Sequence, residues 1–113
     1  MHEVGLVQQA LDIAFDYARR SGAETISLVR LSIGELSGVE PDAISFSFGV
    51  LTEGTMAAKA QLEMVNVPAV YSCNACEREF PLPDRLPVCP NCGGNSILEK
   101  EGFDLRVKSI EVT

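Results

Sequence analysis

Tyr71-Ser72-Cys73-Asn74-Ala75-Cys76 and Val88-Cys89-Pro90-Asn91-Cys92-Gly93 contain every cysteine of this chain, as two Cys-x-x-Cys pairs twelve residues apart. Two intervening residues let both thiolates of a pair turn toward one ion, and four thiolates suit Zn(II) with Zn–S bonds of about 2.3 Å. Such a set leaves no position for a substrate water, so the site holds structure and does not catalyse. The same ligands suit iron in a rubredoxin-type centre; Pro90 would stiffen the second pair and Gly93 is free to take a positive φ. Two disulfides would need an oxidising compartment, and Met1-His2-Glu3-Val4-Gly5 has neither the basic start nor the apolar stretch of a secretion signal. A thioredoxin-type redox pair needs one Cys-x-x-Cys at a helix start, whereas here two matched pairs lie among turn residues.

Outward from this module, the rest of the chain reads as an α/β unit. Val4, Val7, Leu11, Ala14 and Ala18 recur at three- and four-residue steps, predicting an amphipathic helix over the first twenty residues. Ser21-Gly22 ends it, with Arg19 and Arg20 in the last turn. Ile26 to Ile33 reads as a strand whose apolar phase changes between Ile26-Leu28 and Val29-Leu31-Ile33, as a bulge or burial on both faces would produce. Gly34 to Asp42 reads as a loop, with Pro41 and Asp42 as a helix-start signal. In the next segment Ile44, Phe46, Phe48 and Val50 alternate as in a strand, while Ile44, Phe48 and Leu51 keep helical spacing with Gly54 as C-cap; length and start signal favour the helix. Ala60 to Met64 and Phe103 to Lys108 alternate as strands.

The last strand has no partner of its own size in the ribbon, so it is expected to return to the first sheet. The expected fold is α+β, a small sheet flanked by two helices with the four-cysteine ribbon inserted before the last strand. The expected division is 1–69 with 99–113 as a discontinuous α/β domain and 70–98 as the ribbon. Pro68, Pro81, Pro83 and Pro87 crowd the module and its entry and favour stiff turns. A length of 113 residues suffices for one modest core plus such a module.

Sixteen acidic against nine basic residues give a net charge of −7, which repels phosphate backbones and acidic lipid surfaces. Around the cysteines Arg78, Arg85 and Lys100 stand against Glu77, Glu79, Asp84 and Glu99 without a row of aromatics, which speaks against nucleic acid as a partner. The apolar runs are only a few residues long, too short for a membrane span.

His2 is the sole histidine. If Met1 is retained, its α-amine, the His2 amide nitrogen and the imidazole Nδ1 can close fused five- and six-membered chelate rings, and planar nitrogen ligation suits Ni(II) and Cu(II). The fourth place could go to the Glu3 amide or to a carboxylate. A lone terminal histidine is also commonly a solvated residue, and Glu35, Glu40 and Asp42 are ordinary loop and helix-start acids. The spacing permits a nickel site without requiring it.

Met1-His2-Glu3 opening a helix, Ile33-Gly34-Glu35-Leu36-Ser37-Gly38-Val39, Val50-Leu51-Thr52-Glu53-Gly54-Thr55 and the two cysteine pairs together resemble the hydrogenase nickel-incorporation family (HypA/HybF), over nearly the whole chain and in the same order. The resemblance implies a cytoplasmic nickel metallochaperone, not an enzyme, that acts with a nickel-handling accessory GTPase to supply the large subunit of [NiFe] hydrogenase, as monomer or homodimer. It implies nickel as cargo at His2 and Glu3, with Glu40 as a further candidate ligand beside the Met1 amine of the chelate above. It places structural zinc on Cys73, Cys76, Cys89 and Cys92. Some relatives carry histidines beside the cysteines; this chain has none there, so coupling of the two metals through such a histidine is not expected. The rival readings are a zinc-ribbon adaptor of the transcription machinery and a rubredoxin-like electron carrier. A red protein would indicate tetrathiolate iron, and salt-sensitive retention of nucleic acid the adaptor.

Overall fold

The computed structural model describes residues 2–81 and 88–113, with His2 described by its backbone. Met1 and 82–87, and with them Pro83, Asp84, Arg85 and Pro87, lie outside the described residues.

Helix α1, His2–Arg20, buries Val7, Leu11, Ala14 and Ala18 in one stripe, as the three- and four-residue spacing requires. It ends where Gly22 adopts a φ of 76°, letting the Gly22 N–H donate to the Arg19 carbonyl and the Ala23 N–H to the Ala18 carbonyl. Strand β1, Ile26–Gly34, follows. Its phase change is a bulge, because the register with the last strand shifts between Ile26 and Leu28. Leu28 therefore leaves the phase of Ile26 and lies half-buried, while Val29, Leu31 and Ile33 point into the core.

The ambiguous third segment is helix α2, Pro41–Leu51. Helical spacing prevails because Ile44 and Phe48 are buried together while Phe46 and Val50 stay exposed. The C-cap is Thr52, not Gly54: the Thr52 hydroxyl donates to the Phe48 carbonyl at 2.7 Å, and Gly54, φ 73°, serves the turn beyond. Strand β2, Gln61–Val67, pairs parallel with β1; strand β6, Leu105–Val112, pairs antiparallel on its other side, giving the order β2-β1-β6. The last strand thus returns to the first sheet, starting at Leu105 because Phe103 is engaged edge-on with Tyr71, ring centroids 5.3 Å apart. Arg30 ties the three strands on the open face, donating to Glu63 of β2 and to Ser109 of β6, both at 2.8 Å.

Between β2 and β6 lies a second sheet of short strands, β3 Val70–Cys73, β4 Glu79–Pro81 and β5 Ile97–Glu101, in the order β4-β3-β5. The two sheets have separate cores, one built on α1, α2 and the first sheet and the other on Cys73, Phe80 and Cys89. The radius of gyration, 17.2 Å, exceeds the roughly 13 Å of a compact chain of this length. This is the shape of two small bodies joined lengthwise.

The junction is fastened by the segment after β1. The Glu35 N–H donates to the Val67 carbonyl, the Leu36 N–H to the Gly102 carbonyl and the Gly34 N–H to the Asp104 carbonyl. Glu35 Oε1 in turn accepts the Ala69 N–H at 2.7 Å. One short stretch thereby holds both chain crossings that lead into and out of the second sheet. A Cβ at Gly34 would lie 2.3 Å from the carbonyl carbon of Gly102, and one at Gly102 2.5 Å from the Cα of Ala69. These neighbours are backbone and cannot swing aside. Gly34→Ala should therefore cost about 2–3 kcal/mol and lower Tm by about 10 °C or more, whereas Gly49→Ala, with nothing near its Cβ, should leave melting unchanged or raise it; equal melting of Gly34→Ala and the parent chain would show that the crossing is not tight.

Candidate metal centre

Both cysteine pairs fold into the same turn. In the first, the Cys73 N–H donates to the Arg78 carbonyl and the Glu77 N–H to the Cys73 carbonyl; in the second, Cys89 N–H donates to the Gly94 carbonyl and Gly93 N–H to the Cys89 carbonyl. The residue after each pair takes a positive φ, 63° at Glu77 and 73° at Gly93. Glycine accepts this at no cost, while Glu77 bears a strain of about 1–2 kcal/mol. A non-glycine residue held there implies that the surrounding turn dictates the backbone.

The four sulfurs lie within 4.8 Å of one another, with Cys73–Cys92 and Cys76–Cys89 each at 3.6 Å. A tetrahedron with Zn–S bonds of 2.3 Å has edges of about 3.8 Å, so the set fits one such ion. The distances are far beyond a sulfur–sulfur bond of about 2.0 Å, and all four cysteines are free thiols. Cys73 and Cys89 are buried, Cys76 half-buried and Cys92 exposed, so the site sits at the surface of its small core with one ligand toward solvent.

The electrostatics favour a cation in the middle. The Cys92 backbone N–H, 3.4 Å from the Cys89 sulfur, draws the Cys89 thiol down to about 6 despite its burial. Cys73 is likewise lowered, chiefly by the Cys76 backbone N–H. At Cys92 the largest influence, the Gly94 backbone N–H, pulls downward, but the neighbouring sulfurs of Cys73, Cys89 and Cys76, with the partial loss of water around its own sulfur, push the thiol up to about 11. Cys73 and Cys89 are thus drawn toward the thiolate, while Cys92 resists ionising at neutral pH. A divalent ion removes that resistance, and backbone donors are already aimed at the sulfurs that ionise first.

Among the described residues this is the one group of three or more candidate metal ligands. Glu3 lies half-buried in the first turn of α1, and Glu40 stands exposed at the N-cap of α2 with no side-chain capping bond. Met1 lies outside the described residues, and His2 is the first residue of α1. The structure thus brings the four cysteines together but does not unite Glu3 and Glu40 in such a group. Sequence reasoning missed the Glu35 carboxylate as the fastener of the second sheet; its signal was a loop acid directly after a strand-ending glycine.

A family model described as "Hydrogenase/urease nickel incorporation, metallochaperone, hypA" matches residues 1–112. The hydrogenase maturation factor HypA of Dechloromonas aromatica is 40% identical over 112 residues, covering 99% of each chain, and that of Paracoccus denitrificans 39% with the same coverage. The solution structure of the Ni metallochaperone HypA from Helicobacter pylori has the same fold, with a TM-score of 0.80 at 24% identity over 97% of this chain and 96% of that one. A second HypA solution structure gives a TM-score of 0.81, also at 24% identity, over 100% and 97%. With that model matched over residues 1–112 and relatives about 40% identical over 99% of their length, the chain belongs to the HypA family of hydrogenase/urease nickel-incorporation metallochaperones.

Proposed function

We propose that this chain carries Ni(II) on its N-terminus and hands it to the large subunit of [NiFe] hydrogenase during maturation, together with a nickel-handling GTPase. Membership of the family supports this, and the observation that carries it is the position of His2, the sole imidazole, as the first residue of α1. The proposed chelate joins the His2 imidazole and amide with the Met1 amine. Glu3 and Glu40 are the carboxylates proposed to complete it, and donors replaced singly allow transfer without weak affinity. Residues 1–69 with 99–113 form the nickel-handling unit and 70–98 the zinc unit, although β5 continues through Glu101. Cys73, Cys76, Cys89 and Cys92 hold zinc for shape, and the chain performs no catalysis of its own. No helix among the described residues is long and apolar enough to cross a membrane; the work on newly made subunits is proposed to take place in the cytoplasm.

Untagged protein should contain one zinc, take up one further nickel, and pass that nickel to a purified large-subunit precursor. Nickel should leave between pH 7.5 and pH 5, because protons compete for the imidazole, the amine and the amide, while zinc stays. Equilibrium dialysis at the two pH values reads both metals at once. Equal nickel occupancy at pH 5 and pH 7.5 would count against a terminal nitrogen site.

A further inference from the structure

Strand β6 is an edge of its sheet, and among the described residues no strand pairs with its outer side. Beside it runs an apolar groove of about 620 Å³ walled by Leu6, Ala10, Ile13 and Tyr17 of α1 and by Val107 and Ile110 of β6. Ile13 and Tyr17 are 50% and 62% exposed, and Val112 at the end of the strand 41%. An open strand edge next to exposed apolar side chains is a template for another strand.

The register of β6 indicates which strand. Opposite β1 it runs Leu105 to Ile33, Val107 to Leu31, then Ser109 to Arg30 and Ile110 to Val29, so Lys108 is an extra, bulged residue. The bulge inverts the side-chain alternation. Leu105, Val107, Ile110 and Val112 all share the core face with Ile33, Leu31, Val29 and Ile26, whereas Arg106 and Glu111 share the open face. In an unbulged strand Leu105 and Val112 would lie on opposite faces and could not oppose each other in a self-pairing.

We infer that a second copy of this chain pairs antiparallel along β6, with a two-fold axis between Lys108 and Ser109. Leu105 then lies opposite Val112, Val107 opposite Ile110 and Arg106 opposite Glu111, each pair occurring twice and each with both members on one face. The two sheets merge into one, and the α1 grooves adjoin across the axis. Charge complementarity is local to the two Arg106–Glu111 oppositions, which set unlike charges against each other at either end of the pairing. In the single chain Arg106 bonds Asp104 at 2.8 Å and Glu111 lies 3.9 Å from Arg30, but these are exposed pairs that cost little to share.

Sedimentation of the zinc-loaded full chain across concentrations tests this. The parent should form a dimer of micromolar affinity, as befits a contact of modest area. Arg106→Glu and Glu111→Arg should each weaken self-association at least about tenfold, because each sets like charges opposite each other twice. Mixing the two variants should restore a dimer of parental affinity, since both pairs then become complementary. Zinc content and circular dichroism should be unchanged in both variants, whose altered side chains are exposed. A parent that stays monomeric to about 1 mM, self-association unaffected by either reversal, or failure of the mixture to dimerise would each overturn the inference, the first leaving β6 to a different partner and the second pointing to another face.

Discussion

Cys92→Ala should lose its zinc and, with it, the whole second sheet. That sheet consists of strands of three to five residues whose core is Cys73, Phe80 and Cys89, flanked by Tyr71, Cys76 and Ile97. Burying one phenylalanine and a few partly covered side chains yields several kcal/mol, against about 1–2 kcal/mol of backbone entropy for every residue ordered. The deficit is met by metal binding, worth roughly 10 kcal/mol or more in modules of this kind. Cys73→Ala should do the same, and being buried should also leave a hole. The first sheet and its helices share no core residue with the ribbon, so their helix signal should persist. Zinc analysis with limited proteolysis reads both halves of the prediction: cuts should appear between Val70 and Glu101 and not in α1. Stoichiometric zinc with an unchanged melting curve in either variant would remove the structural role assigned to the cluster.

His2→Ala should abolish tight nickel binding and hydrogenase maturation while zinc, helix content and melting remain as in the parent. The change lies at the first residue of α1, ahead of Val7, the first fully buried side chain of its stripe. No other imidazole exists in the chain to replace it, so the loss is not rescued from within. A few residues added ahead of Met1 should weaken binding too, by turning the amine into an amide, though less severely if the Glu3 amide and a carboxylate such as Glu40 re-form a planar set around His2. Nickel titration of the untagged, extended and His2→Ala chains ranks the three. Sub-micromolar affinity surviving in His2→Ala, about −8 kcal/mol or tighter, would move the site elsewhere.

What could be read from the sequence is what depends on residues close together in the chain. Two residues between thiols set the reach of a metal knuckle. Val7, Leu11, Ala14 and Ala18 mark one face of a helix wherever that helix packs, and Gly22 ends it for reasons internal to the last turn. Even the return of β6 followed from counting unpartnered strands. The second helix was harder, because alternating and helical spacings coexist in Ile44-Ser45-Phe46-Ser47-Phe48; only packing, which buries Ile44 and Phe48 and leaves Phe46 70% exposed, decided between them.

Tertiary structure alone decided whatever joins distant segments. Glu35 accepts the Ala69 N–H across 34 positions, and Gly34 must be glycine because the Gly102 backbone passes within 2.3 Å of where its Cβ would be. The bulge at Lys108 is set by the pairing with Arg30 and Leu31, not by any turn residue in β6 itself. Spacing showed that four thiols could meet; the fold brought Cys73 and Cys92 to 3.6 Å, with backbone N–H groups directed at the sulfurs. Local periodicity records which face a residue presents, and it carries no information about what the rest of the chain will place against that face.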